Sequence, residues 1–141
     1  MDGSDLRNAM YQTASMGTES IKQVMPKVSS KSLRNELAHQ MNNYHEERSE
    51  IVSQMRRNRM NPTPLPPGQR FMSKAGIALD LARDSDNAHI AEMMIKGTNM
   101  GIIKINKALN NSGGIPAGTV RQAKAMLEKE QDYIEHLKKF L

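Results

Sequence analysis

Asn61-Pro62-Thr63-Pro64-Leu65-Pro66-Pro67-Gly68 decides the architecture of this chain. Its prolines lack the backbone donor that a helix needs, so the stretch reads as a stiff, extended connection. It lies near the middle of 141 residues, with long helical patterns on either side. Upstream, Leu6, Met10, Thr13, Gly17, Ile21, Val24 and Val28 recur at steps of three and four, and Pro26 with the serines after it ends or frays that helix near Met25. Ser29-Ser30-Lys31-Ser32 supplies N-cap candidates for a second helix, with Glu36 in its opening turns. The stripe of that helix, Leu33, Leu37, Met41, Tyr44, Arg48, Ile51 and Met55, keeps one seam toward a partner over roughly 45 Å at the α-helical rise.

Beyond the prolines a helical pattern resumes at about Gln69 with Phe71, Ala75, Ala78, Leu79 and Ala82. It falters at Asp84-Ser85-Asp86 and continues through Ile90, Met94, Gly97, Gly101, Ile105 and Leu109. Ser85 either caps a new helix or interrupts one long helix; the pattern favours a continuous or kinked one. Asn110-Asn111-Ser112-Gly113-Gly114 stops it, and Pro116 suits the first turn of a last helix carrying Val120, Ala123, Leu127, Glu130, Ile134, Leu137 and Leu141. The expected fold is therefore all-α, one domain over 1–141: hairpin 1 at about 4–60, a crossover at 61–68 and hairpin 2 at about 69–141. The ten residues from Asn61 to Arg70 reach about 33 Å when extended, enough to run the length of a four-helix bundle. That connectivity belongs to the ferritin-like class, not to a simple up-down-up-down bundle.

Composition bounds the chemistry. There is no cysteine, which excludes disulfides, thiolate metal sites and thiol catalysis. Twelve methionines against two Phe, three Tyr and no Trp favour flexible packing between helices. No apolar run approaches the roughly 20 residues needed to cross a bilayer, and the polar N-terminus does not read as a signal peptide, so a cytoplasmic protein with no membrane partner is expected. Net charge is +5, from 20 basic and 15 acidic residues mostly interspersed. The densest basic patch, Arg56-Arg57-Asn58-Arg59, closes a helix where the dipole favours cations, so nucleic acid is not an expected partner. No serine–histidine–aspartate context and no phosphate-binding glycine loop is present, and the chain is not expected to be an enzyme.

Met16-Gly17-Thr18-Glu19-Ser20-Ile21 is echoed by Met100-Gly101-Ile102-Ile103-Lys104-Ile105, which reads as a duplicated helical hairpin. With His89 to Ile102, His-Ile-Ala-Glu-Met-Met-Ile-Lys-Gly-Thr-Asn-Met-Gly-Ile, these residues resemble small ferritin-like four-helix proteins of bacteria, in particular an uncharacterised Firmicutes-type group. The resemblance implies the fold and no particular activity. Ferritin-like di-iron centres use a carboxylate from each of two helices and a Glu-x-x-His pair from each of the other two. Here His45 is preceded at three residues by Asn42, Glu130 is followed at three by Tyr133, and the third helix offers Asn99 and Met100. Neither His45 nor Glu130 belongs to such a pair, so no cofactor is expected. The alternative is a degenerate metal or redox site for iron or manganese, with Glu19, His45 and Glu130 as its candidates.

Without metal, the polar seam residues Tyr44, Arg48 and Glu130 need other partners. Arg48 either pairs with Glu130, with the Tyr44 hydroxyl joining them, or extends its stem from the seam edge to water. His89 and Glu92 share a helix face and read as a surface pair or a capping contact. Gly97, Gly101 and Gly17 read as faces for close helix packing. The functional expectation is a non-catalytic structural or interaction protein, with a protein partner or a second copy of itself.

Overall fold

The computed structural model describes residues 3–66, 72–111 and 113–141, and every regular element among them is helical. Helix α1 (Ser4–Val24) carries the apolar stripe read from the sequence, with Leu6, Met10, Ile21 and Val24 fully buried. It ends in a 3-10 turn over Met25–Lys27 that accommodates Pro26, after which Val28 turns extended. The Ser30 hydroxyl accepts the Leu33 N–H at 3.2 Å and starts α2 (Lys31–Arg57), one of the caps offered by the serine cluster. That helix stops at Asn58, whose side-chain amide donates to the Gln54 carbonyl at 2.8 Å, followed by Arg59 at φ 56°.

Among the described residues the second half contains three α-helices where two were expected. Ser73 caps α3 (Lys74–Arg83), and a break separates it from α4 (Asn87–Asn111). At the break Asp84 is extended, its carboxylate accepts the Asp86 N–H at 3.0 Å, and the Asp86 carbonyl accepts the Ile90 N–H at 2.9 Å. Short acidic side chains compete for backbone donors in this way, so Asp84-Ser85-Asp86 divides the helix outright and does not merely kink it. Residues 69–71, the expected beginning of this hairpin, lie outside the described residues. The last helix, α5 (Ala117–Leu137), places Pro116 at its N-cap and closes in a 3-10 turn over Lys138–Phe140.

Cross-helix contacts set the directions. Thr13 in the middle of α1 lies against Gly101, and Ser29 just beyond the end of α1 bonds Asn87 at the start of α4, so α1 and α4 run antiparallel. Glu36 meets His136 at 3.1 Å while Tyr44 meets Glu130, which makes α2 and α5 antiparallel as well. Arg7 donates to Thr119 at 3.0 Å, placing the start of α1 beside the start of α5. Four long helices thus stand side by side, with α2 and α4 running opposite to α1 and α5. The proline-rich connection is held low on α1, where the Thr63 N–H donates to Asn8 at 2.9 Å and its carbonyl accepts from Gln12 at 2.7 Å. By Lys74, whose carbonyl accepts from Gln23 at 2.5 Å, the chain lies at the other end of α1. Asn87 then fastens the start of α4 to the α1–α2 loop, accepting from the N–H groups of Ser29 and Ser30, both at 3.2 Å.

Leu33, Leu37, Ile51, Met55, Ile90, Ile105 and Leu137 fill the core with the α1 stripe, each contributing about 1.5–3 kcal/mol by burial. Two polar side chains are equally inaccessible, Gln40 and Glu130. The glycines do not pack on one another. Gly17 receives the ring of Tyr44, where an added Cβ would stand 2.5 Å from Cε2, and Gly101 receives Thr13, with Cγ2 at 2.6 Å. Around Gly97 an added Cβ would meet nothing within 4 Å.

Candidate functional site

Glu130 is the centre of the most unusual chemistry in the molecule. The four-residue spacing of α5 carries it into the core between Met126 and Ile134, at 0% exposure. The Tyr44 hydroxyl, reaching across from α2, donates to its Oε2 at 2.9 Å, while Oε1 has no hydrogen-bond partner. Tyr44 gets there because Gly17 leaves room for its ring. Tyr133, one turn after Glu130, meets the Tyr44 ring edge-on with centroids 5.4 Å apart.

Burial pushes the Glu130 carboxyl up to about 8; the Tyr44 hydrogen bond works the other way, and the nearby Glu47 adds to the rise. Glu130 therefore holds its proton at neutral pH. Glu47, partly buried on α2, is itself pushed up to about 7 by burial, with Lys129 opposing the rise, and its Oε1 also has no hydrogen-bond partner. The Tyr44 hydroxyl is raised too, first by burial and then by Glu130, so it stays a donor. Farther along the α2–α5 seam, buried Gln40 donates to Glu36 at 3.0 Å, and the other oxygen of Glu36 meets His136.

A narrow cleft between α1, α3 and α4 descends to this cluster. Met16, Met72, Met93 and Met94 line it together with Thr13, Gly17, Ser20, Ile77, Gly97 and Thr98, and Tyr44 and Glu130 lie at its floor. Its cavity volume is about 30 Å³, room for about two waters. Thr13 and Thr98 turn their hydroxyls back to the Ala9 and Met94 carbonyls at 2.8 Å, so both hydroxyls are engaged within their own helices. Among the lining residues Tyr44 and Glu130 are the only ionisable ones, and no cation is among them.

The residues singled out in the sequence fall in different places. Tyr44 and Glu130 meet. Arg48 does not reach Glu130: its guanidinium sits over the Tyr11 ring, 5.4 Å from the centroid, and donates to the Tyr11 hydroxyl at 3.5 Å. A half-buried aromatic face at the seam edge lets the cation keep water on its other side. Glu19 and His45 are exposed while Glu130 is sealed, so the three candidate metal ligands are not gathered. Among the described residues no group of three or more His, Asp or Glu side chains is placed to hold a metal ion, and this donor set does not fit a ferritin-like di-iron centre. His89 pairs not with Glu92 but with Asp80 across the α3–α4 break, at 2.6 Å; Glu92 pairs with Lys96.

Glu47 was not singled out from the sequence. Its signal is there: Leu33, Leu37, Gln40, Tyr44, Glu47 and Ile51 follow steps of four and three as regularly as the stripe that runs through Met41 and Arg48. No family model, no curated protein and no solved structure matches this chain, so its fold and this site carry the functional argument.

Proposed function

We propose that this chain is a non-catalytic helical bundle of ferritin-like topology, a structural or interaction protein whose interior carboxyl serves packing and hydrogen bonding and is not a metal ligand. Thr63 and Lys74 at opposite ends of α1, with the antiparallel pairs α1–α2 and α4–α5, support the topology. The observation that carries the functional part is Glu130 itself. It is sealed, protonated at neutral pH and engaged by Tyr44, whereas a metal ligand must be ionised and accompanied by other donors. A protein partner or a second copy of the chain belongs to the same reading, and no helix among the described residues is long and apolar enough to cross a membrane. The experiment is thermal melting with Fe(II), Mn(II) or Zn(II), alongside elemental analysis of the purified protein. We expect no saturable shift. Metal at one hundred times its dissociation constant would add about 2.7 kcal/mol, and such a rise, abolished by Glu130→Gln, would overturn the reading.

A further inference from the structure

We infer that the cleft between α1, α3 and α4 is a binding site for an amphipathic amine, whose apolar part lies along the methionines and Gly97 and whose ammonium meets Oε1 of Glu130. The inference rests on the reading of Glu130 as a metal-free interior group and gives that group a ligand. Two independent features point to an occupant. Oε1 is a buried polar atom with no hydrogen-bond partner, a state that natural cores rarely leave uncompensated. Gly97 stands in the interior of α4, where glycine is an unfavourable choice, yet no neighbour needs its smallness. Gly17 and Gly101 are explained by the side chains they admit; Gly97 is explained only by space kept open in the cleft wall.

The lining selects the chemical class. Its walls are mostly apolar, four methionines among them with Ser20 as a polar exception, and methionine is the side chain best able to move aside for a guest of variable shape. Its floor is a carboxyl with a second carboxyl, Glu47, close enough to disfavour its ionisation and with no cation among the lining residues. An ammonium supplies what is missing: a positive charge that lets Glu130 ionise and, once it has, a donor for Oε1. An anionic head would meet two carboxyls, and a neutral hydroxyl would satisfy one hydrogen bond without relieving the charge. The resting cavity is small, so entry requires the methionines to rotate and the short helix α3, which contributes Ile77, to yield.

The binding step balances in protons. The carboxyl is neutral before binding, the amine arrives as an ammonium, and the carboxyl proton leaves to solvent as the ion pair forms. The groups facing Glu130 are Tyr44 and Glu47 from α2 and Tyr133 from its own helix; α1, α3 and α4 bring no charged side chain into the cleft lining.

The test is calorimetric titration and thermal melting of the full chain at pH 7 with n-hexylammonium, 1-hexanol and hexanoate, which share a chain and differ in head. We expect saturable binding of the amine with proton release, at least tenfold tighter than the alcohol, and none of the carboxylate. Glu130→Gln should abolish both the preference and the proton release, and Gly97→Leu should block amine and alcohol together while the helical circular dichroism is kept. Equal binding of all three heads, an amine preference unchanged in Glu130→Gln, or no binding of the amine would each overturn the inference. Absence of both amine and metal binding would remove this inference and leave the proposed function standing, whereas Glu130-dependent metal binding would remove the proposed function.

Discussion

Glu130→Gln changes a titrating core group into a non-titrating one of nearly the same shape, and the pH dependence of folding should report it directly. In the unfolded chain the carboxyl titrates near 4.5; in the folded protein burial lifts it to about 8. The folded state therefore binds the proton more tightly between those values. Its contribution is fully present below pH 4.5 and is lost as pH rises through 8. At about 1.4 kcal/mol per pH unit per proton, the wild type should lose about 3 kcal/mol from this group between pH 5 and pH 8. Glutamine keeps a carbonyl for the Tyr44 hydroxyl and loses the titration, so the stability of Glu130→Gln relative to wild type should climb by that amount across the same interval. Urea denaturation at pH 5, 6, 7 and 8 measures it. In melting temperature the change is about 10 °C for a domain of this size. Glu47, raised to about 7, adds to the slope in both proteins and cancels in the difference apart from its coupling to Glu130. A difference between the two proteins that stays flat from pH 5 to pH 8 would refute a protonated, buried Glu130.

The three glycines should separate under substitution by alanine. Gly17→Ala meets the Tyr44 ring and Gly101→Ala meets Thr13, each costing about 1–3 kcal/mol, whereas Gly97→Ala should stabilise by about 0.5–1 kcal/mol in chemical denaturation because nothing opposes the new methyl. Arg48→Met and Glu130→Gln should be additive within about 0.5 kcal/mol at pH 6, since Arg48 sits on Tyr11; a larger coupling energy would place the guanidinium at Glu130. His89 is raised above 6.5 chiefly by its hydrogen bond to Asp80, against a smaller opposing effect of burial. Its stabilisation of the α3–α4 junction is therefore present below pH 6.5 and lost as pH rises through the raised value. His89→Gln should lower the melting temperature at pH 6 and have little effect at pH 9, with equal effects at both pH values counting against the pairing.

Much of the fold could be read before any coordinates. Helix existence, the direction change at Pro26, the cap in the serine cluster and the extended proline segment all follow from local chemistry, since they depend on backbone donors and on neighbours within one turn. The break at Asp84-Ser85-Asp86 was visible as an irregularity, but its outcome depended on whether side-chain acceptors or the helical ladder captured the local N–H groups. Seam membership was legible only to within one residue. Met41 and Arg48 occupy the edge while Gln40 and Glu47 turn inward, because the rotation of α2 about its axis is set by what α1 and α5 present to it.

The sequence by itself determined the helical class, the end of the first helix at Pro26, the cap that starts the second and the stop of helix at the proline-rich segment, because periodicity, proline and spacing are properties of the chain alone. Only the tertiary structure decided what the interior polar groups do. It assigned Tyr44 to Glu130 and Arg48 to Tyr11, left Glu19 and His45 at the surface, and gave each of three similar glycines a different neighbour: a tyrosine ring, a threonine methyl and open space. The physical reason is that partnership and protonation depend on distance and burial across helices, and neither is encoded in the spacing along one of them.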